Sequence, residues 1–219
     1  MGTAIEFVNV ALKWLGRKES DSTHKEIIDI YNAYTPLPRG YKVKYTDPWC
    51  ATFVSAVAIK GGFTDIIPLE CSCYYMIEKA KKMGIWAEND DYNPKLGTLI
   101  LYDWDDNGKG DNTGVPDHVG IVVSNNGDTL SVIEGNYSNS VKVRTVKLND
   151  KNIRGFIVPK FSKETKTEPT KQKTFKDYAL VSIEVIEGKC GNGTVRTDNL
   201  KKKGYDPVKV QKIVNTLLS

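Results

Sequence analysis

The chain has 219 residues, 40% hydrophobic and 26% charged, enough to bury one full-sized core or one core with a small satellite. No run approaches the roughly 18 consecutive apolar residues of a helical membrane span, and no basic segment followed by a continuous apolar one opens the chain, so no export signal is expected. The net charge of +4 divides unevenly, −2 over 1–159 and +6 over 160–219; the basic tail suits an anionic partner or is simply a solvated lysine-rich helix surface.

Ile5, Val8, Ala11, Leu12 and Leu15 recur at helical spacing and predict an amphipathic first helix. His24 lies in a polar stretch and is expected at the surface. Asp47 and Pro48 read as the N-cap and first residue of a helix running through Phe53, Val54, Val57 and Ala58 and stopping at Gly61 and Gly62. Another helix is predicted over 74–83, ended by Gly84. From Thr98 onward, short apolar runs between turn residues replace the helical period, over 98–102, 118–123, 130–134, 141–146 and 155–158. Helices followed by an antiparallel sheet make an α+β domain over 1–159. The polar stretch 160–174 cannot bury a core and reads as a linker. Beyond it, 175–219 reads as a three-helix bundle, with Gly188 and Gly204 ending the first two helices and Asp206 and Pro207 opening the third.

Of the four cysteines, none has zinc or redox spacing, and Cys71 and Cys73 read as structural thiols. Cys50 falls near the third position of the helix assigned to the Asp47 cap, where unpaired N–H groups and the helix dipole favour a thiolate; a buried, inert cysteine is the competing reading. Ser124 to Asp128 is a strong turn signal. Centred on Asn126, it sets Val122 opposite Leu130, Gly120 opposite Val132 and His118 opposite Glu134. Alternation adds Asn136 to that face, and Gly120 leaves the space above it open. A thiol at a helix start and a histidine beside a carboxylate are the parts nucleophilic acyl transfer needs, although spacing alone does not bring them together.

Three runs, Asp47-Pro-Trp-Cys-Ala-Thr-Phe-Val-Ser-Ala, Asp117-His-Val-Gly-Ile-Val-Val and Val132-Ile-Glu-Gly-Asn, resemble in order the CHAP family of cysteine amidohydrolases and peptidases, relatives of the NlpC/P60 group. The resemblance covers roughly 1–159. It implies a papain-like domain with Cys50 as nucleophile, His118 as base, Glu134 orienting the imidazole and Asn136 as a fourth site residue. It also implies cleavage of peptidoglycan amides, at the N-acetylmuramoyl–L-alanine bond or within the stem or cross-bridge, with the Cys50 N–H helping to hold the oxyanion.

The C-terminal segment from Ala179 to Gly193, with Gly204-Tyr-Asp and the run from Val210 to Leu218, resembles a Cpl-7 cell-wall-binding repeat. That implies a wall ligand at Gly191, Asn192, Gly193 and Arg196. Cys190 stands where the family's Gly-Lys-Trp-Gly-Asn-Gly motif has tryptophan, removing a ring that could pack or stack on sugar.

Asp103, Asp105, Asn107 and Asp111 space oxygen ligands around Gly108 as calcium loops do, and some CHAP domains bind calcium, but the twelfth position is Gly114 where a bidentate acid belongs. The mechanism itself requires no cofactor. The expected partner of a monomeric enzyme is peptidoglycan, with no nucleic acid and no membrane span. The absent signal fits an endolysin held in the cytoplasm until the membrane is breached, or a secreted enzyme trimmed of its signal. Two alternatives stand beside it: an intracellular papain-type cysteine protease, and a non-catalytic protein binding wall or nucleic acid.

Overall fold

A computed structural model describes residues 2–89, 92–106, 114–162, 175–186 and 188–218. Helices come first. α1 (Ala4–Leu12) opens on a capping box, in which Thr3 and Glu6 exchange side-chain-to-backbone hydrogen bonds, and it buries Phe7, Val8, Ala11 and Leu12. α2 (Lys25–Asn32), which the sequence reading passes over, buries Ile27, Ile28 and Tyr31. α3 (Cys50–Gly61) is buried continuously from Cys50 to Ala58 and packs against both earlier helices. It stops where Gly62 takes a left-handed conformation at φ 75°. α4 (Cys73–Lys82) follows, with Gly84 at φ 64° beyond its end.

Six strands form one antiparallel sheet: β1 (Trp86–Ala87), β2 (Leu99–Tyr102), β3 (His118–Asn125), β4 (Thr129–Glu134), β5 (Lys142–Lys147) and β6 (Ile153–Ile157), in the order β1-β6-β2-β3-β4-β5. The α+β class is therefore observed. β2 and the middle of β3 are buried on both faces, which is why they read as unbroken apolar runs. Ile100, Tyr102, Val122, Val132 and Phe156 pack together on one face. The intervening residues of β3, Val119, Ile121 and Val123, turn to the other face, and α3 packs on this strand.

The β3–β4 hairpin departs from the expected register. Gly120 pairs with Glu134 and Val122 with Val132, while nearer the turn Ser124 pairs with Ser131 and Asn125 with Leu130. The turn lies further along the chain than Asn126, and that displacement alone would be odd-numbered, sending Glu134 to the face opposite His118. A β-bulge between Val122 and Ser124 inserts one residue and makes the net slip two. His118 and Glu134 therefore share a face as expected, but as diagonal neighbours; the strand residue directly opposite His118 is Tyr102 on β2.

The chain divides into two compact units, Met1–Lys163 and Glu164–Ser219, and most of the expected linker (163–174) lies outside the described residues. The second unit contains α5 (Phe175–Ile186), α6 (Gly193–Lys202) and α7 (Pro207–Leu218). Asp206 accepts a hydrogen bond from the Val208 N–H at 2.9 Å, capping α7 ahead of Pro207. Val181, Val185, Cys190, Leu200, Val210 and Val214 form its core. Cys190 is 1% exposed. Position 190, where the resembled repeat carries tryptophan, is thus a packing position in this chain. No described helix is long and apolar enough to cross a membrane.

Candidate active site

Cys50 is the first residue of α3, not the third, and Trp49 rather than Asp47 precedes it as the N-cap. Asp47 serves its own loop: its carboxylate accepts from the Lys44 N–H and the Tyr41 hydroxyl, both at 2.8 Å. The electrostatic argument survives this shift. The first intrahelical bond runs from the Phe53 N–H to the Trp49 carbonyl at 2.8 Å, so the N–H groups of Cys50, Ala51 and Thr52 lie in the unpaired first turn. That of Ala51 helps to hold the Cys50 thiol down.

Three contacts bring partners to this helix start. Gly135 lies against α3 so closely that a Cβ there would fall 2.3 Å from the Phe53 Cβ and 3.0 Å from the Trp49 ring, which docks the end of β4 on the helix. Ser55, one turn along α3, clamps the segment before α4: its hydroxyl donates to the Glu70 carbonyl at 2.6 Å and accepts from the Glu70 N–H at 2.8 Å. The buried Glu70 carboxylate is held further by Arg39 at 3.0 Å and Lys79 at 3.1 Å. That clamp delivers Cys73, the first residue of α4, so that its sulfur lies 3.8 Å from that of Cys50. Both thiols are free and buried.

His118, at the start of β3, has its Nε2 3.1 Å from Glu134 Oε2, and its ring also hydrogen-bonds the Cys50 sulfur. With Nε2 committed to the carboxylate, Nδ1 is left for sulfur. Glu134 is fully buried, and the Arg144 Nε donates to both its oxygens at 3.0 Å. Gly120 explains how Glu134 reaches the ring. A Cβ there would lie 2.4 Å from Val132 Cγ1 and 2.8 Å from Glu134 Cγ, so the space expected to stand open is filled by the leaning Glu134 and Val132 side chains.

The Cys50 thiol is pulled well below its usual range, first by the Cys73 S–H donor, then, against the cost of burial, by hydrogen bonding and charge from His118. Cys73 moves the opposite way, held well up by the neighbouring Cys50 and by burial. Burial alone would lower His118, but hydrogen bonds and charge from Cys50 and Glu134 outweigh it and push the imidazole up to about 9. Both shifts run in the direction of a thiolate beside an imidazolium.

Cys50, His118 and Glu134 are thus brought together. Asn136 follows directly after Gly135 in a left-handed conformation at φ 60°, with its Oδ1 buried and unpartnered among the described residues. His24 is buried at 3% exposure, contrary to the surface position expected: its Nε2 lies 3.1 Å from the Tyr45 carbonyl and its ring 5.8 Å from that of Trp49. It is a packing histidine under the N-cap of α3. Sequence reasoning missed Cys73 and Arg144. Pairing of β4 with β5 sets Val132 opposite Arg144, and since Glu134 shares a face with Val132, register arithmetic across that second hairpin would have found the arginine. No local signal marks Cys73 as a neighbour of Cys50.

Asn107 and Asp111 of the expected calcium loop lie outside the described residues. Of the other two, Asp103 is buried and its Oδ1 accepts from the Asp105 N–H at 3.1 Å, the geometry of a local turn. Among the described residues no group of three or more His, Cys, Asp or Glu side chains is placed to hold a metal ion. In the second unit, Gly191 and Gly193 flank Asn192, the N-cap of α6, with φ of 76° and 55°. Arg196, a turn further on, borders a groove of about 530 Å³ between α6 and α7.

Comparison with known families matches the CHAP domain over residues 40–136 and the CW_7 repeat over residues 180–218. The first match includes Cys50, His118, Glu134 and Asn136 and ends before β5; the second includes Cys190 and the α6–α7 groove. No curated protein and no solved structure matches the chain.

Proposed function

We propose, for a chain that carries a CHAP domain followed by a CW_7 cell-wall-binding repeat, that it hydrolyses amide bonds of bacterial peptidoglycan through a covalent Cys50 intermediate. The observation that carries this reading is the relay at the buried start of α3, in which His118 hydrogen-bonds the Cys50 sulfur and sets its Nε2 3.1 Å from Glu134.

The Cys50 thiolate attacks the carbonyl carbon of the scissile amide. The negative oxygen that develops is met by the Cys50 backbone N–H at the positive end of α3. His118, already protonated, gives its proton to the departing nitrogen and leaves a thioester on Cys50. Water then enters, loses a proton to the neutral imidazole and attacks the thioester, releasing the acid and regenerating the thiolate. Glu134 fixes the ring so that Nδ1 faces sulfur and offsets the imidazolium charge. Asn136, beside this relay, acts as the fourth site residue.

The bond cut is the N-acetylmuramoyl–L-alanine amide or a peptide bond of the stem or cross-bridge, and the biological outcome is endolysin-like lysis of the bacterial wall. Gly191, Asn192, Gly193 and Arg196 of the second unit hold the wall polymer. A single repeat gives no avidity of its own, so its contribution is modest localisation. The test is release of new amino groups from purified peptidoglycan, with mass spectrometry of the fragments to name the bond and a casein digest as control. Cys50→Ala should abolish release, and unchanged release by that variant would overturn the assignment.

A further inference from the structure

We infer that Arg144, held between Trp104 and Tyr137, forms an anion subsite beside the nucleophile that takes a carboxylate of the peptidoglycan stem peptide. The inference rests on the reading of the chain as a peptidoglycan hydrolase and adds a substrate feature that the Cys50–His118–Glu134 relay does not require.

Arg144 lies on β5 beyond the residues matched by the CHAP family. Its guanidinium carbon sits 4.0 Å from the centre of the Tyr137 ring and 5.0 Å from that of Trp104, and the Trp104 ring is stacked on Tyr102 at 4.6 Å and 13°. Two aromatic faces and the Nε bonds to Glu134 fix the guanidinium plane, so little further rotamer freedom is lost when a ligand arrives. Only Nε is engaged. The two terminal Nη groups donate to no acceptor among the described residues, and the side chain is 26% exposed on a groove of about 530 Å³. A fixed guanidinium with both Nη groups free matches the two oxygens of a carboxylate.

Geometry rather than net charge favours that ligand. Glu134 is already met by His118 at 3.1 Å and by the Arg144 Nε at 3.0 Å. On the rim, Lys147 adds a positive charge and Asp150 a negative one, so recognition rests on the Nη fork of Arg144. The subsite also lies at the right range. Glu134 Oε2 bonds both His118 Nε2 and Arg144 Nε, so the guanidinium is two hydrogen bonds from the ring that moves the proton. The Trp104 ring, 42% exposed and 6.2 Å from the His118 ring, forms the wall between them. A carboxylate on Arg144 therefore belongs to a residue within about one or two positions of the scissile amide, given roughly 3.5 Å of chain per residue.

Stem peptides offer the glutamyl α-carboxyl, the C-terminal carboxyl and, where the third residue is diaminopimelate, its side-chain carboxyl. The experiment uses the full chain and soluble muramyl peptides in which each is free or amidated. Amidation of one of them should raise KM roughly tenfold with little change in kcat, as expected for loss of a charge-assisted fork, and the sensitive position names the group. Arg144→Gln should respond equally to all peptides, whatever its residual rate, and Arg144→Lys should keep part of the preference. Equal KM for free and amidated peptides with the unaltered protein overturns the subsite, as does a preference that survives Arg144→Gln or follows only Trp104→Ala. Titration of the Cys50→Ala protein with the same peptides separates the two claims: carboxylate-dependent binding without any hydrolysis by the unaltered protein would sink the hydrolase reading and leave the subsite standing.

Discussion

The sulfurs of Cys50 and Cys73 lie 3.8 Å apart, and each cysteine is the first residue of its own helix. Two helix starts converge on one pair of thiols, and their dipoles favour one negative charge between them. Cys73 pulls the Cys50 thiol down most strongly and His118 adds to it, while Cys73 itself is held up by Cys50 and by burial. Cys73 stays protonated and donates. Cys73→Ala should therefore raise the pKa of Cys50 and move the acid limb of kcat/KM to higher pH, while Cys73→Ser, which keeps a donor, should move it less. The pH dependence of Cys50 alkylation reads the shift directly, and superimposed profiles for all three proteins would remove Cys73 from the mechanism.

Gly120 tests the leaning of Glu134. An alanine there would place a methyl group 2.8 Å from Glu134 Cγ and 2.4 Å from Val132 Cγ1. Overpacking should cost about 1–3 kcal/mol of stability. Displacing the carboxylate from His118 should lower kcat by up to about a hundredfold, more than a stability loss of that size explains in a protein that still folds. Thermal unfolding measured beside kcat tells the two apart, and full activity in Gly120→Ala would show that Glu134 need not touch the ring as it does.

The raised pKa of His118 makes stability depend on pH in a stated direction. Its ordinary value is 6.5 and its folded value about 9, so the folded protein holds the proton more tightly than the unfolded chain. The stabilisation is fully present below about pH 6.5 and is lost as pH rises through about 9. Urea unfolding at pH 6 and pH 10 should show a larger loss in the unaltered protein than in His118→Asn; equal losses would mean that other groups set the slope. Deprotonation of His118 should also produce a basic limb near 9 in kcat/KM.

Cys190 makes the last prediction. It is closed in by Val181, Val185, Leu200, Val210 and Val214, so restoring the family's tryptophan should overpack this core and destabilise the second unit by about 1–3 kcal/mol, with no gain in wall binding. Sedimentation with purified walls, alongside thermal unfolding of the full chain, checks both halves. Tighter binding by Cys190→Trp would mean that the ring reaches the ligand after all.

Much of the fold was readable because its signals are local. The stop of α3 at Gly61 and Gly62, the glycine after α4 and the Asp206–Pro207 start of α7 depend on backbone conformations that neighbouring residues dictate. The misreadings also have local causes. Asp47 and Pro48 form a good cap pair, but Asp47 has nearer donors in Lys44 and Tyr41, so the helix waits until Cys50. His24 sits among polar residues and is nevertheless buried beneath Trp49, which period counting over α2 could not foresee.

The amino-acid sequence by itself put His118 and Glu134 on the two strands of one hairpin, where side chains alternate and an even slip keeps both on one face. It also set Cys50 within the first turn of a helix, because Asp47 and Pro48 break the chain ahead of a largely apolar segment, although at the third position rather than the first that it occupies. Only the tertiary structure decided that the bulge after Val122 makes the slip even, that Gly120 lets Glu134 lean, and that Cys73 and Arg144 stand on either side of the relay. Those contacts join segments far apart in the chain, and their geometry is set by how α3, α4 and the sheet pack, a property of volumes and distances that local patterns do not contain.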